Sequence, residues 1–231
     1  MKPTDKNEVN AKIISTLERI KMYLLDIVDS NLKRANNIIN WMSDYINYIR
    51  CEEEYIKKGK YPAYKRGQVL YVNFGFNVGS EVGGYHYATV INNNDSASKS
   101  YITVIPLYSQ KTETKVGKND DRLLIGNALS ELIERKQNQL LKEIDDYLHN
   151  INSYDKKDAL SKAKFYQASI NEMNKVIDRI KEGSIVLTGQ IKTICKMRIA
   201  NPTKSSDYLE KIVLSKDIVD LIINKVKCIF T

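Results

Sequence analysis

Residues that hold metals or form disulfides are scarce in this chain of 231 residues. It has two histidines, His86 and His149, which lie far apart, and three widely spaced cysteines, Cys51, Cys195 and Cys228. An odd number of distant cysteines argues against a disulfide framework. Two isolated histidines do not make a zinc ligand cluster. We therefore expect no structural metal and no cofactor.

Long apolar segments are also absent. No run reaches the roughly 18 apolar residues that a membrane-spanning helix needs. The first six residues lack the apolar stretch and the small-residue cleavage site of a secretory signal. We therefore expect a cytoplasmic protein with no membrane partner.

Acidic residues are outnumbered by basic ones. The chain has 36 Lys and Arg against 28 Asp and Glu, which gives a formal net charge of +8 and a pI near 9.1. A positive surface favours polyanions such as RNA, DNA or anionic lipid. Many lysine-rich proteins are basic without binding any of these, so charge by itself leaves both interpretations open.

Residues 7 to about 58 are predicted to be helical, because apolar residues recur at spacings of three and four. The stripe consists of Ile13, Leu17, Ile20, Leu24, Ile27, Ile38, Met42, Tyr45 and Ile49. Polar residues interrupt it near Ser30 and Asn31, which indicates either a break or one long helix with a polar layer. We treat residues 1–60 as an N-terminal helical extension whose stripe is packing surface or a partner-binding face.

The pattern changes after Pro62, since proline disfavours helix in itself and in its predecessor. Residues 68–74, 88–91, 101–107, 184–188 and 191–197 are predicted to be strands, because β-branched and aromatic side chains dominate them. A loop between the first two strands, at residues 75–85, holds four of the ten glycines. That concentration indicates unusual backbone angles or the close approach of a ligand.

Helical spacing returns in residues 126–182, where two apolar stripes flank a turn at residues 150–155. Two adjacent amphipathic helices of this kind predict an inserted antiparallel hairpin. A last helix is predicted to begin after Ser215, which would cap it. The β-rich parts on either side, residues 64–125 and 183–231, are predicted to form one barrel that the hairpin interrupts.

Four segments of the β-rich parts resemble the MazF/PemK toxins of bacterial toxin–antitoxin pairs. They span residues 65–74, 78–91, 104–110 and 190–199. Their shared features are Arg-Gly before the first strand, Gly-Ser-Glu in the glycine loop, Pro-Leu in the third strand and Gln-Ile-Lys-Thr-Ile in the last segment. Typical members are about half as long, so both helical regions are additions to the family pattern.

The resemblance implies an α+β fold: a small SH3-like β-barrel of the CcdB/PemK type with a C-terminal helix, to which the N-terminal helices and the hairpin are added. It implies a sequence-specific endoribonuclease that cuts single-stranded RNA, such as mRNA, without a metal. The products would be a 2′,3′-cyclic phosphate and a 5′-hydroxyl. A cognate antitoxin protein and a homodimer are also implied.

Such cleavage is attack by the ribose 2′-hydroxyl on its own phosphate, which needs a base, an acid and charge stabilisation. By the resemblance, the family's key arginine falls on His86 and its catalytic threonine on Tyr108. We predict His86 as general acid or base. Either Tyr108 or Ser109 would bind the phosphate, since neighbours in a regular strand face opposite ways. Glu81 is predicted to orient His86 or contact RNA.

Further RNA contacts are predicted from charge and ring chemistry. Basic side chains that would each contact a phosphate are Lys65, Arg66, Lys111, Lys192, Lys196 and Arg198. Phe76 and Tyr85, in and beside the glycine loop, would stack on unpaired bases.

Two other functions remain open. The replacements at His86 and Tyr108 are compatible with a catalytically inactive nucleic-acid-binding or regulatory protein on the same barrel. A protein-targeting toxin is the third possibility, because the fold relative CcdB acts on gyrase. The glycine loop and residues 190–198 resemble the ribonucleases instead, which favours RNA cleavage.

Overall fold

The computed structural model describes residues 5–111, 115–117, 120–150, 156–180 and 182–231. Within them the chain is an α+β protein with five α-helices and seven β-strands, which confirms the predicted fold class. The helices are α1 (Lys6–Val28), α2 (Leu32–Lys58), α3 (Ala128–His149), α4 (Lys156–Ile180) and α5 (Lys216–Phe230). The strands are β1 (Val69–Asn73), β2 (Tyr85–Val90), β3 (Tyr101–Ser109), β4 (Leu123–Gly126), β5 (Ser184–Val186), β6 (Lys192–Cys195) and β7 (Ile199–Asn201). None of the described helices is long and apolar enough to cross a membrane.

The chain divides into two compact units, Met1–Glu52 and Glu53–Thr231. In the first unit the predicted polar interruption is a break between two separate helices, α1 and α2. The Asn31 side chain accepts a hydrogen bond from the Arg34 amide at 3.0 Å and caps the start of α2. The described part of α1 has no buried residue: in its apolar stripe Ile13 and Leu17 are exposed, and the residues from Ile20 onward are half-buried.

In the second unit the seven strands form one antiparallel sheet in the order β4-β5-β3-β2-β1-β7, and β6 pairs with the first half of β3. Strands from both sides of the helical hairpin therefore share one sheet, whose path is open, with β4 and β7 at its edges. In the central pairing of β2 with β3, Tyr87 lies opposite Leu107. β4 and β7 escape sequence-based prediction because four and three residues are too few to establish an alternation.

Both faces of the sheet are buried. In β1, Val69 belongs to one apolar cluster and the next residue, Leu70, to another, and both are fully buried. Neighbours in a strand point to opposite faces, so the two clusters lie on opposite sides of the sheet. The cluster around Val69 also contains Leu129 of α3, Met173 of α4 and Ile222 of α5. The inserted hairpin is therefore part of the same core as the sheet.

Helices α3 and α4 run antiparallel, as predicted for a hairpin. Gln137 donates to Asn174 at 2.7 Å, and the rings of Tyr147 and Tyr166 lie 6.1 Å apart. From the first pair to the second, the residue number rises on α3 and falls on α4, so the two helices run in opposite directions. Of the predicted turn at residues 150–155, Asn150 follows the end of α3, and residues 151–155 lie outside the described residues.

Helix α5 begins where the sequence predicts. The Ser215 hydroxyl accepts a hydrogen bond from the Ile218 amide at 3.4 Å, which satisfies one of the free donors at the helix start. Val219 and Ile222 form its buried face.

A buried ion pair joins the loop after β2 to the short 3-10 turn after β6. The Lys196 ammonium lies 2.8 Å from the Asp95 carboxylate, and both side chains are almost completely buried. The ammonium also donates to the carbonyls of Pro62 at 2.8 Å and Ser96 at 3.0 Å. Asp95 in turn accepts from the Tyr64 amide at 2.9 Å. All three donors of Lys196 are used, so its predicted role as a phosphate contact is wrong.

We expect Lys196→Met to lower the free energy of unfolding by about 3–5 kcal/mol, because it leaves the Asp95 carboxylate buried without its counter-charge. Urea denaturation measures this difference. The matched control is Lys175→Met, which removes an exposed pair with Glu172 and should cost about 0.5 kcal/mol or less. Equal losses for the two variants would contradict a structural role for the buried pair.

Candidate functional site

A cleft of about 560 Å³ lies where the start of β2 and the end of β3 meet the base of the helical hairpin. Its walls combine aromatic, basic and apolar side chains. They are Tyr71, Tyr85, His86, Tyr87, Leu107, Tyr108, Ser109, Lys111, Arg122, Leu129, Arg179, Ile180, Ser184, Ile185 and Leu187.

His86 and Tyr108 form the centre of this cleft. The antiparallel register sets Tyr87 opposite Leu107. His86, which precedes Tyr87, therefore meets Tyr108, which follows Leu107. The two rings make an edge-on contact with their centroids 4.3 Å apart and their planes at 77°. Both side chains are partly buried. The sheet itself therefore brings together the two residues that the sequence marks as departures from the family pattern.

Burial gives this pair complementary protonation states. It lowers the pKa of His86 below its usual 6.5, and a hydrogen bond to the Gly83 backbone only partly opposes the shift. Burial also raises the pKa of Tyr108 above its usual 10.0. At neutral pH the imidazole is therefore uncharged and can accept a proton, while the phenol keeps its proton and can donate it.

Ser109 also borders the cleft, at the exposed end of β3. Tyr108 and Ser109 both line the cleft, and which of the two would bind the phosphate stays a prediction. Ser109 pairs with Ser184 of β5 in the sheet. The Ser184 hydroxyl is buried and has no hydrogen-bond partner among the described residues.

Three tyrosines form an aromatic wall. The Tyr71 ring stacks on Tyr85 at a centroid distance of 5.5 Å and contacts Tyr87 at 5.1 Å. Tyr87 is buried and its hydroxyl lies 3.4 Å from that of Tyr208, whereas 46% of Tyr85 is exposed. Tyr85 thus presents an exposed ring surface where the sequence predicts base stacking, with the Tyr71 ring stacked on it.

The basic residues at the cleft are Lys111, Arg122 and Arg179. Sequence analysis selects Lys111 and misses both arginines. Arg122 follows residues whose polar composition predicts only a loop, and Arg179 lies in the helical hairpin, outside the four segments that resemble the family. No local signal distinguishes either arginine from a solvated surface charge, since only the tertiary fold brings them to His86.

Glu81 does not orient His86. Its carboxylate forms a 3.0 Å ion pair with Lys192, another predicted RNA contact, and neither residue borders the cleft. The prediction of a positioning role for Glu81 toward His86 is therefore wrong, because the His86 ring forms its hydrogen bond with the Gly83 backbone instead.

The remaining predicted RNA contacts also lie outside the cleft walls. Lys65 is exposed, and Arg66 donates to the side chain of Asn93. Arg198 donates to the Asn73 carbonyl at 2.8 Å, which ties it to the end of β1. Phe76 is half-buried in the glycine loop. RNA binding by these four residues stays a prediction.

The glycine loop is held in a defined shape beside the cleft. Gly84 has φ +77°, a conformation that favours glycine, and a side chain on Gly83 would meet the Gly75 carbonyl oxygen at 2.8 Å. Gln190 fastens the loop from outside: it accepts from the Val82 amide at 2.7 Å and donates to the Ser80 carbonyl at 3.1 Å. The first residue of the fourth family-like segment therefore holds the second segment in place.

Comparison with known proteins identifies one family. A family model described as PemK-like, MazF-like toxin of type II toxin–antitoxin system matches residues 65–182, just over half of the chain. The matched region includes β1 to β4 and the helical hairpin, and it ends before β5, although β5 to β7 belong to the same sheet. No curated protein matches the chain.

Gln190→Ala should loosen the glycine loop, because the Val82 amide loses its acceptor and a buried unpaired donor costs about 1–3 kcal/mol. Amide hydrogen exchange at Val82 should quicken by about tenfold or more. The control is Gln167→Ala on α4, whose exposed amide donates to Asn171. Unchanged exchange at Val82 would show that Gln190 does not hold the loop.

Proposed function

Since the chain belongs to the PemK-like, MazF-like toxins of type II toxin–antitoxin systems, we propose that it is an endoribonuclease that cleaves single-stranded RNA, such as mRNA, at specific sequences. The observation that carries the proposal is the 4.3 Å contact between His86 and Tyr108 inside a cleft that also holds Ser109. A proton acceptor and a proton donor side by side are the groups that this reaction needs.

The reaction is an internal transesterification. A ribose 2′-oxygen gives up its proton and bonds to the adjacent phosphorus, while the bond from that phosphorus to the 5′-oxygen breaks and this oxygen takes up a proton. The products are a 2′,3′-cyclic phosphate and a 5′-hydroxyl. The substrate supplies the nucleophile, so the reaction as proposed needs no metal-bound water.

Four side chains of the cleft each take one part in this reaction. The neutral imidazole of His86 accepts the proton of the 2′-hydroxyl, and the Tyr108 phenol donates to the departing 5′-oxygen. The Ser109 hydroxyl donates a hydrogen bond to the phosphate. Tyr85 stacks on a neighbouring base, an interaction of about 1–3 kcal/mol that aligns the strand.

The family also suggests the partners. A type II toxin has a cognate antitoxin protein, and we propose that this antitoxin blocks the cleft. We further propose that the protein acts as a homodimer in the cytoplasm, where mRNA is accessible. We also propose that the barrel consists of residues 64–125 and 183–231. Residues 1–60 and the hairpin at residues 126–182 are then additions to it.

Purified protein freed of antitoxin should cut a mixed-sequence single-stranded RNA in EDTA and leave 5′-hydroxyl ends. His86→Ala should slow cleavage by about 10²–10⁴-fold, because a general base contributes that much, and Tyr108→Phe should slow it as well. End mapping on gels measures both. His149→Ala is the matched control, since His149 is exposed and bonds to Asp145 of its own helix, outside the cleft walls.

Each other outcome contradicts a defined part of the proposal. Cleavage that survives in His86→Ala would remove His86 from the reaction. RNA binding without cleavage would identify a regulatory RNA-binding protein. Absence of both binding and cleavage would favour a toxin that targets a protein.

The pH profile follows from the two pKa shifts. His86 accepts a proton only when neutral, so the cleavage rate should fall about tenfold per pH unit below a midpoint that lies under 6.5. Tyr108 donates only when protonated, so the rate should hold until above pH 10. Single-turnover rates across this range measure both limbs, and the acidic limb should vanish in His86→Gln. A midpoint above 7 would contradict a buried neutral imidazole.

A further inference from the structure

The cleft has three basic residues, and two of them already have partners. Arg122 donates to the Asp120 carboxylate through two nitrogens, at 2.8 and 2.6 Å. This contact lowers the pKa of Asp120 to about 2, so the carboxylate is ionised at physiological pH and pairs with the Arg122 guanidinium. The Lys111 side chain also interacts with another group of the protein. Among the described residues, Arg179 takes part in no ion pair.

Arg179 is exposed but its backbone is fixed. The next residue, Ile180, is buried in the core that the hairpin shares with the sheet. The Arg179 guanidinium lies close enough to Tyr87 and Tyr208 for its charge to oppose the rise in pKa that burial gives both phenols. Arg179 lines the same cleft as His86 and Tyr108.

The reacting pair lacks a permanent positive charge. His86 and Tyr108 are both uncharged at neutral pH, yet the phosphate gains negative charge as the 2′-oxygen bonds to it. Charge stabilisation at such an oxyanion is a large part of catalysis in sites of this kind. A guanidinium is always charged and can donate two parallel hydrogen bonds to a phosphate.

The cleft also holds a donor without a partner. The Ser184 hydroxyl is 1% exposed, borders the cleft, and has no hydrogen-bond partner among the described residues. A buried unpaired hydroxyl is costly, and a phosphate oxygen in the cleft would satisfy it.

We propose that Arg179, carried by the inserted hairpin, binds the scissile phosphate and stabilises its charge during cleavage, with the Ser184 hydroxyl as a second donor. The inference rests on the proposed ribonuclease function. It gives the hairpin a direct part in the reaction: an element added to the fold brings an arginine to a cleft whose central histidine is neutral.

The test compares Arg179→Gln and Arg179→Lys with the wild type. The matched control is Lys175→Gln, one turn earlier on α4 and paired with Glu172 outside the cleft. The first readout is the salt dependence of binding to a single-stranded RNA with 2′-O-methyl groups throughout, which cannot be cleaved by this reaction. The second is the single-turnover cleavage rate of the corresponding unmodified RNA.

Loss of one phosphate contact should reduce the slope of log affinity against log salt by about 0.7 in Arg179→Gln. Cleavage should fall about 10²–10³-fold, as for removal of one oxyanion donor. Arg179→Lys should restore the slope but only part of the rate, since it keeps the charge without the paired donors. Lys175→Gln should match the wild type in cleavage.

Two results would overturn the inference while leaving the ribonuclease function intact. One is an equal cleavage rate for the wild type and the Arg179→Gln variant. The other is an Arg179→Gln that cleaves slowly with an unchanged salt slope and a lower melting temperature, which would indicate a role in stabilising the end of α4 only. A wild type that neither binds nor cleaves RNA would refute the proposed function, and this inference with it.

Discussion

The pairing of β2 with β3 is the constraint on which the candidate site depends. With Tyr87 opposite Leu107, the next residues along the strands, His86 and Tyr108, meet at the sheet end. A register shift of one residue would exchange the faces of His86 and Tyr87 and place an imidazole in the apolar cluster that now holds Tyr87. The core that buries both faces of the sheet therefore also fixes the geometry of the reacting pair. The glycine loop, which Gln190 fastens, leads directly into β2 and sets where that strand begins.

Exclusion of water then decides what each charged or titratable group can do. The same burial that keeps His86 neutral and Tyr108 protonated turns Lys196 into a structural cation paired with Asp95. A formal charge of +8 is therefore a poor guide to where RNA would bind. Several basic side chains of the β-rich parts are committed to the fold, while the cleft gains its exposed arginine from helix α4.

Local patterns predicted much of the fold. The N-terminal helical region, the Ser215 cap, the antiparallel hairpin and most strands follow from apolar spacing, capping residues and proline, whereas the sequence left open whether α1 and α2 are separate helices. The family follows from four short segments, of which the last, at residues 190–199, lies beyond the matched region yet holds the glycine loop through Gln190.

The candidate site was only partly predictable. His86, Tyr108 and Ser109 follow from motif position, Tyr85 and Lys111 follow from ring chemistry and charge, and all five line one cleft. The burial of Lys196, the pairing of Glu81 with Lys192 and the arrival of Arg179 depend on contacts between segments about 100 or more residues apart or on packing of the insertion. Such contacts leave no signal in local spacing, so only the tertiary fold reveals them.

A crystal structure with a short RNA that contains the preferred cleavage sequence, with a 2′-deoxy ribose at the scissile position to prevent the reaction, tests the central claim most directly. We expect the scissile phosphate to lie in the cleft, with the 2′-carbon facing His86 and the 5′-oxygen within hydrogen-bond distance of the Tyr108 phenol. RNA bound elsewhere on the protein, with the contact between His86 and Tyr108 unchanged and the cleft unoccupied, would contradict it.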